Sequence, residues 1–89
     1  MARKYVSADD IGKLPSGAGV YFLYELSTLV YIGKATNLQS RVAQHKPTKS
    51  FDKIGYTETH WSRARQLEKE LLRDYKQQHE ALPYYNEQG

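Results

Sequence analysis

The sequence contains no cysteine, which removes two ways of stapling a small chain, a disulfide frame and a thiolate zinc site. Nothing in it marks an oxidising compartment. Long apolar runs are missing too, since none approaches the roughly 20 residues of a membrane-spanning helix. The start (Met1, Ala2, Arg3, Lys4, Tyr5, then Asp9 and Asp10) lacks the apolar stretch of a secretory signal. A soluble, cytoplasmic protein with no membrane partner is expected. Repeats, low-complexity segments and linkers are absent as well. At 89 residues the chain has room for one small core, burying on the order of two-thirds of the unfolded surface. One domain over residues 1–89 is expected, with no second unit beside it.

Negative charge is missing from one long interval. Lys and Arg number 13 against 10 Asp and Glu, a formal net charge of +3, which by itself argues only weakly for a polyanionic partner. Its distribution says more. No acidic residue lies between Glu25 and Asp52, whereas Lys34, Arg41, Lys46 and Lys49 all do, with His45 among them. Such a run is either a solvated basic face or a strip that contacts phosphates.

What the sequence does hold is concentrated in GVYFLYELSTLVYIGKATNLQSR, from Gly19 to Arg41. Gly19–Leu26 and Leu29–Ile32 are rich in aromatic and β-branched residues and are separated by Ser27 and Thr28, which predicts a β-hairpin carrying Tyr21, Tyr24 and Tyr31. Gly33 ends the second strand. Thr36, with Gln39 three residues on, suits a capping box and a helix to about His45 or Lys46, which Pro47 stops. Before the hairpin, Ser7 followed by Asp9 and Asp10 suits a short helical turn to Leu14 in an otherwise irregular lead-in. Phe51–Thr57 reads as a third strand. A long helix over Ser62–Gln78 contains no Gly or Pro, with His60 and Trp61 before it as a cap and a core anchor. Leu82–Gly89 reads as a loop. The fold class expected is α/β, an α+β sandwich in the order β-β-α-β-α, with a small mixed or antiparallel sheet of about three strands flanked by helices.

One carboxylate falls on an apolar face. On a wheel of about 100° per residue with Ala64 at zero, Leu67, Leu71, Tyr75 and Leu72 define an arc centred near 10°, and Glu68 falls inside it at about 40°. Glu70, at about 240°, faces water. A carboxylate that loses hydration needs a cation, a metal or several donors, so Glu68 either forms a structural ion pair or belongs to a site. On the first helix Asn37, Arg41 and His45 are spaced by four and form a polar stripe. Packed together, that stripe, Lys34, the inward tyrosines and Glu68 would meet in one cleft. They would hold the parts of a phosphodiesterase: a carboxylate for a divalent metal, cations for developing charge and a phenol or imidazole for proton transfer.

The residues Gly19-Val20-Tyr21, then Tyr31-Ile32-Gly33, Lys34-Ala35-Thr36-Asn37-Leu38 and Arg41, with Ala64, Leu67-Glu68, Leu72 and Pro83-Tyr84-Tyr85-Asn86 downstream, resemble the GIY-YIG nuclease domain. The likeness covers about residues 19–86, and the "YIGKATNLQSR" segment is most similar to the N-terminal nuclease domain of the bacterial excision-repair incision subunit. Val20 stands where the first motif has isoleucine. The resemblance implies a metal-dependent endonuclease that cuts one DNA strand per active site. In that reading Glu68 is the single protein ligand of Mg²⁺ or Mn²⁺, Tyr21 and Tyr31 line the site with one of them acting on the attacking water, and Arg41 holds the phosphate with Lys34 assisting. His45 has a supporting proton or phosphate role, Lys46 and Lys49 contact phosphates, Gly33 allows close backbone approach, and Asn86 ties the tail to the site. Without an added targeting domain, it is expected to act with low sequence specificity, to recognise DNA shape, to assemble as a homodimer that cuts both strands, or to rely on a targeting partner. RNA stays open as a substrate. The alternative is a nucleic-acid-binding module that does no chemistry and uses the strip from Lys34 to Lys49, and a third reading is a protein-interaction domain with a basic face.

Overall fold

A computed structural model describes residues 3–88. Four strands form one antiparallel sheet: β1 (Lys4–Ser7), β2 (Gly19–Glu25), β3 (Thr28–Ala35) and β4 (Lys53–Glu58), in the spatial order β1-β4-β2-β3. Helices α1 (Leu38–His45), α2 (Trp61–His79) and α3 (Tyr84–Gln88) and a 3-10 segment over Ala8–Lys13 complete it. The α+β architecture expected from sequence is present, with corrections. The strands number four rather than about three, so the order gains a leading strand, and the tail expected as a loop ends in α3. Strand β1 is four residues long with largely exposed side chains, and its partner β4 lies far along the chain. It therefore shows no burial alternation a sequence reading could use.

The central strand β2 is covered on both faces, which is why Gly19–Leu23 reads as a continuous apolar run rather than an alternating one. Side chains alternate across a strand, and this divides the core in two. On one face Tyr21, Leu23, Ala35 and Ile54 pack with Leu38 and Val42 of α1, Leu14 and Phe51. On the other, Val20, Phe22 and Ile32 pack with Ala64, Leu67, Leu71 and Leu72 of α2. Each fully buried aliphatic or aromatic side chain contributes about 1.5–3 kcal/mol. Trp61, expected as a core anchor, is instead 37% exposed.

Local details differ as well. The hairpin turns at Leu26 and Ser27, both at positive φ (49° and 69°), one residue earlier than the expected Ser27-Thr28 pair. This backbone suits the twist of paired strands but favours Asn and Gly, which neither residue supplies. Strand β3 does not stop at Gly33 but runs on to Ala35, and β4 begins at Lys53 rather than Phe51. Helix α1 is capped by Asn37, whose side-chain oxygen accepts from the Ser40 N–H at 3.0 Å, not by Thr36. Gln39 closes no capping box, because its amide donates instead to the carbonyls of Gly12 (2.9 Å) and Leu14 (3.3 Å). His60 does cap α2, its Nδ1 accepting from the Ser62 N–H at 3.3 Å.

Candidate active site

Tyr21 on β2, Tyr31 on β3 and His45 at the end of α1 meet on the α1 face of the sheet. Strand alternation sets this, since Tyr21 is paired with Gly33 and Leu23 with Tyr31, so Tyr21, Tyr31 and the missing side chain of Gly33 share one side. That missing side chain makes the space. A Cβ at Gly33 would lie 2.5 Å from both Cζ and Oη of Tyr21 and 2.7 Å from Cε2 of Tyr31, so the two phenols close over bare backbone. Ring centroids are 5.9 Å apart for Tyr21 and Tyr31, 5.6 Å for Tyr21 and His45, and 4.9 Å for Tyr31 and His45. The Tyr21 hydroxyl and His45 Nε2 are hydrogen-bonded at 2.6 Å.

Burial separates the two tyrosines. Tyr21 is wholly enclosed at 0% exposure, while Tyr31, on the edge strand, is half-buried. Burial pushes the Tyr21 phenol well above its usual range; Tyr31 adds to the rise and the Arg41 guanidinium opposes it. His45 is buried, and loss of hydration lowers it to about 4, with the positive charges of Lys49 and Arg41 acting in the same direction. The imidazole is therefore neutral at pH 7. Its Nε2 and the Tyr21 hydroxyl share one hydrogen bond.

The cations stand around this cluster unequally. Arg41 is exposed and donates from Nη1 to Gln44 Oε1 at 3.0 Å. Lys49 Nζ lies 5.1 Å from the Tyr31 ring and 5.6 Å from the Tyr85 ring, whereas Lys46 sits 5.8 Å from the Phe51 ring. Tyr85 of the Pro83–Asn86 motif joins this edge; its hydroxyl accepts from the Ser50 N–H at 2.9 Å. Asn37 leaves the expected polar stripe to cap α1. Tyr24 stands apart, accepting from Arg3 Nη1 at 2.8 Å.

Glu68 and Lys34 occupy the other face. Val20 is paired with Lys34 and Phe22 with Ile32, so Lys34 points toward α2. Its Nζ meets Glu68 Oε1 at 3.3 Å, with the glutamate side chain 16% exposed. The expected single cleft is thus two half-sites on opposite faces of the sheet, which meet around the edge strand β3. Asn86 of α3 closes that edge: its Oδ1 accepts from the Ile32 N–H at 2.9 Å and its Nδ2 donates to the Ile32 carbonyl at 3.0 Å, as a neighbouring strand would.

No group of three or more His, Asp or Glu side chains forms a metal cage among the described residues. A lone, partly open carboxylate still suits one kind of ion. Mg²⁺ keeps several waters and binds through one or two carboxylates together with substrate phosphates, and Mn²⁺ shares that preference for carboxylate and water. Glu68 fits both.

The chain shares the fold of the GIY-YIG N-terminal endonuclease domain. The N-terminal endonuclease domain of UvrC from Thermotoga maritima, bound to its catalytic divalent cation, magnesium, superimposes with a TM-score of 0.69 at 24% identity, over 86% of this chain and 91% of that one. A point mutant of the same domain, bound to the catalytic divalent cation, gives 0.68 at 23% identity, over 86% and 90%. The chain belongs to the T5orf172 domain family, whose model matches residues 18–87. UvrABC system protein C of Deinococcus radiodurans is 51% identical over 37 residues, which are 42% of this chain but only 6% of that protein.

Proposed function

We propose that this protein is an endonuclease that hydrolyses a DNA phosphodiester bond, one strand per active site, with residues 1–89 acting as one catalytic unit. The observation that carries this reading is the partly buried Glu68 carboxylate at an edge otherwise furnished with cations and phenols. A module that only bound phosphates would need Lys34, Arg41 and Lys49 but would be weakened by a carboxylate beside them. The Thermotoga domain that shares the fold holds magnesium, which supports Mg²⁺ or Mn²⁺ as the cofactor here.

Glu68 is the residue that would hold the ion, which when bound supplies charge neutralisation at the scissile phosphate and the leaving oxygen. Arg41 and Lys34 bind the phosphate, the guanidinium offering a two-pronged donor set and the ammonium a point charge. Lys49 and Lys46 hold the flanking backbone. Tyr31 orients the attacking water, because its phenol stands on the edge strand and keeps contact with solvent. Tyr21 is enclosed and acts through others, as a positioning residue: its bond to His45 Nε2 fixes the imidazole against the Tyr31 ring. The neutral imidazole holds that bond without adding a third positive charge beside Arg41 and Lys49. Targeting would come from DNA shape, a second copy or a partner protein.

The test is cleavage of supercoiled plasmid and of a branched duplex with Mg²⁺, with Mn²⁺ and with EDTA, comparing wild type and Glu68→Ala. Metal-dependent nicking that disappears in the variant is expected. Salt-sensitive DNA binding without cleavage under either metal would leave a binding module in its place.

A further inference from the structure

Helix α2 carries a second row of cations that the interval from Lys34 to Lys49 does not include. On the wheel with Ala64 at zero, Arg65, Lys76, Lys69 and Arg73 fall at about 100°, 120°, 140° and 180°. All four are exposed. Glu68 borders the row at about 40°, and the helix's other acidic residues, Glu70 and Asp74, fall at about 240° and 280°, on the far side. The acidic side chains are therefore kept off the row, although Arg63, at about 260°, shares their side of the helix. Among the described residues Arg65, Lys69 and Lys76 have no carboxylate within ion-pair distance, and only Arg73 approaches one, the adjacent Asp74 at 3.9 Å.

An aromatic ring sits at the head of the row. Trp61, at about 60° on the same wheel, is 37% exposed, and with Ser62, Arg65, Gln66 and Lys69 it lines a shallow concavity that contains no acidic group. An exposed indole flanked by two free cations suits a nucleic-acid strand, where a base stacks and the neighbouring phosphates are neutralised. From Arg65 to Lys76 the row spans about 16 Å along the helix axis, close to the rise of about five nucleotides of one strand.

We propose that the outer face of α2, through Arg65, Lys69 and Lys76 with Trp61 at its end, is a second DNA-backbone contact surface flanking the active edge. Arg41 and Lys49 stand on one side of β3 and the α2 row on the other, so the DNA is held on both sides of Glu68. This rests on the nuclease reading for its substrate class and adds the surface that reading lacks.

The experiment is equilibrium binding of a labelled random-sequence duplex, in EDTA, over a range of salt concentrations. Wild type is compared with Arg65→Gln/Lys69→Gln/Lys76→Gln and with Lys4→Gln/Lys13→Gln/Lys53→Gln, which removes equal charge from outside α2. Neutralising a cation that touches one phosphate flattens the plot of log K against log salt by about 0.9. The α2 variant is expected to lose between two and three units of slope, and the control to keep the wild-type slope. Trp61→Ala is expected to weaken binding of single-stranded DNA without changing the slope. A wild-type slope in the α2 variant, or equal losses in both triple variants, would overturn the proposal. Steep wild-type binding with no nicking in Mg²⁺ would sink the nuclease reading and leave the surface standing. No salt-dependent binding by wild type would remove both.

Discussion

Gly33 meets two demands: it continues β3 with ladder pairing to Tyr21, and it leaves empty the space over which both phenols close. Gly33→Ala forces the Tyr21 and Tyr31 rings aside, since an added methyl meets them within 2.7 Å. Overpacking of this kind costs about 1–3 kcal/mol. Denaturant unfolding should register that loss, together with a fall in nicking larger than the loss of folded protein explains. His45 gives a pH signature. Its imidazole is lowered to about 4 from the ordinary 6.5, so between these values the unfolded chain binds a proton that the native state refuses. Stability is then full above about pH 6.5, declines as pH falls toward 4 and levels off below, by on the order of 3 kcal/mol. Thermal unfolding of wild type and His45→Gln across that window should show the slope in wild type and a flatter line in the variant.

At the scale of elements the edge of β3 organises the molecule. Strand β2 lies between β4 and β3 and its Tyr21 is enclosed, whereas β3, at the edge of the sheet, presents Tyr31 on one face and Lys34 on the other. Helix α3 guards that edge with one side chain. Asn86→Ala removes both hydrogen bonds to Ile32 and leaves a partly buried peptide group unpaired, at a cost of about 1–3 kcal/mol. Hydrogen exchange should find the Ile32 amide unprotected in the variant, with the amides of β2 unaffected. Protection of Ile32 equal to wild type would mean that α3 holds the edge by packing alone.

At the scale of the whole molecule the dimensions are 34 × 28 × 23 Å, with the Glu68 carboxylate on one face of the edge strand β3 and the phenol pair and imidazole on the other. In the proposed reading a single such set cuts one strand at a time. Supercoiled plasmid should therefore pass to nicked circle before any linear product forms, with linear product rising more steeply than in proportion to protein concentration as second copies engage the opposite strand. Linear DNA formed from the outset at low protein concentration would contradict one cut per site. No helix among the described residues is long and apolar enough to cross a membrane.

The hairpin, α1 and α2 were legible from the sequence because each is encoded by local contrast: β-branched and aromatic runs, a polar N-terminus before an apolar stripe, a long stretch without Gly or Pro. Glu68 was legible for the same reason, since a carboxylate inside an apolar arc stands out on one helix. Strand β1 was not, because four residues, three of them exposed, gain their structure only from pairing with β4, and α3 was not, because a five-residue helix is held by Pro83 and by Asn86 on Ile32 rather than by its own propensity. Which faces the candidate residues occupy lay beyond the sequence altogether. The two-residue period of β3 sends Tyr31 to α1 and Lys34 to α2, and only the packing of those helices on opposite sides of the sheet decides that the half-sites meet at its edge instead of in one cleft.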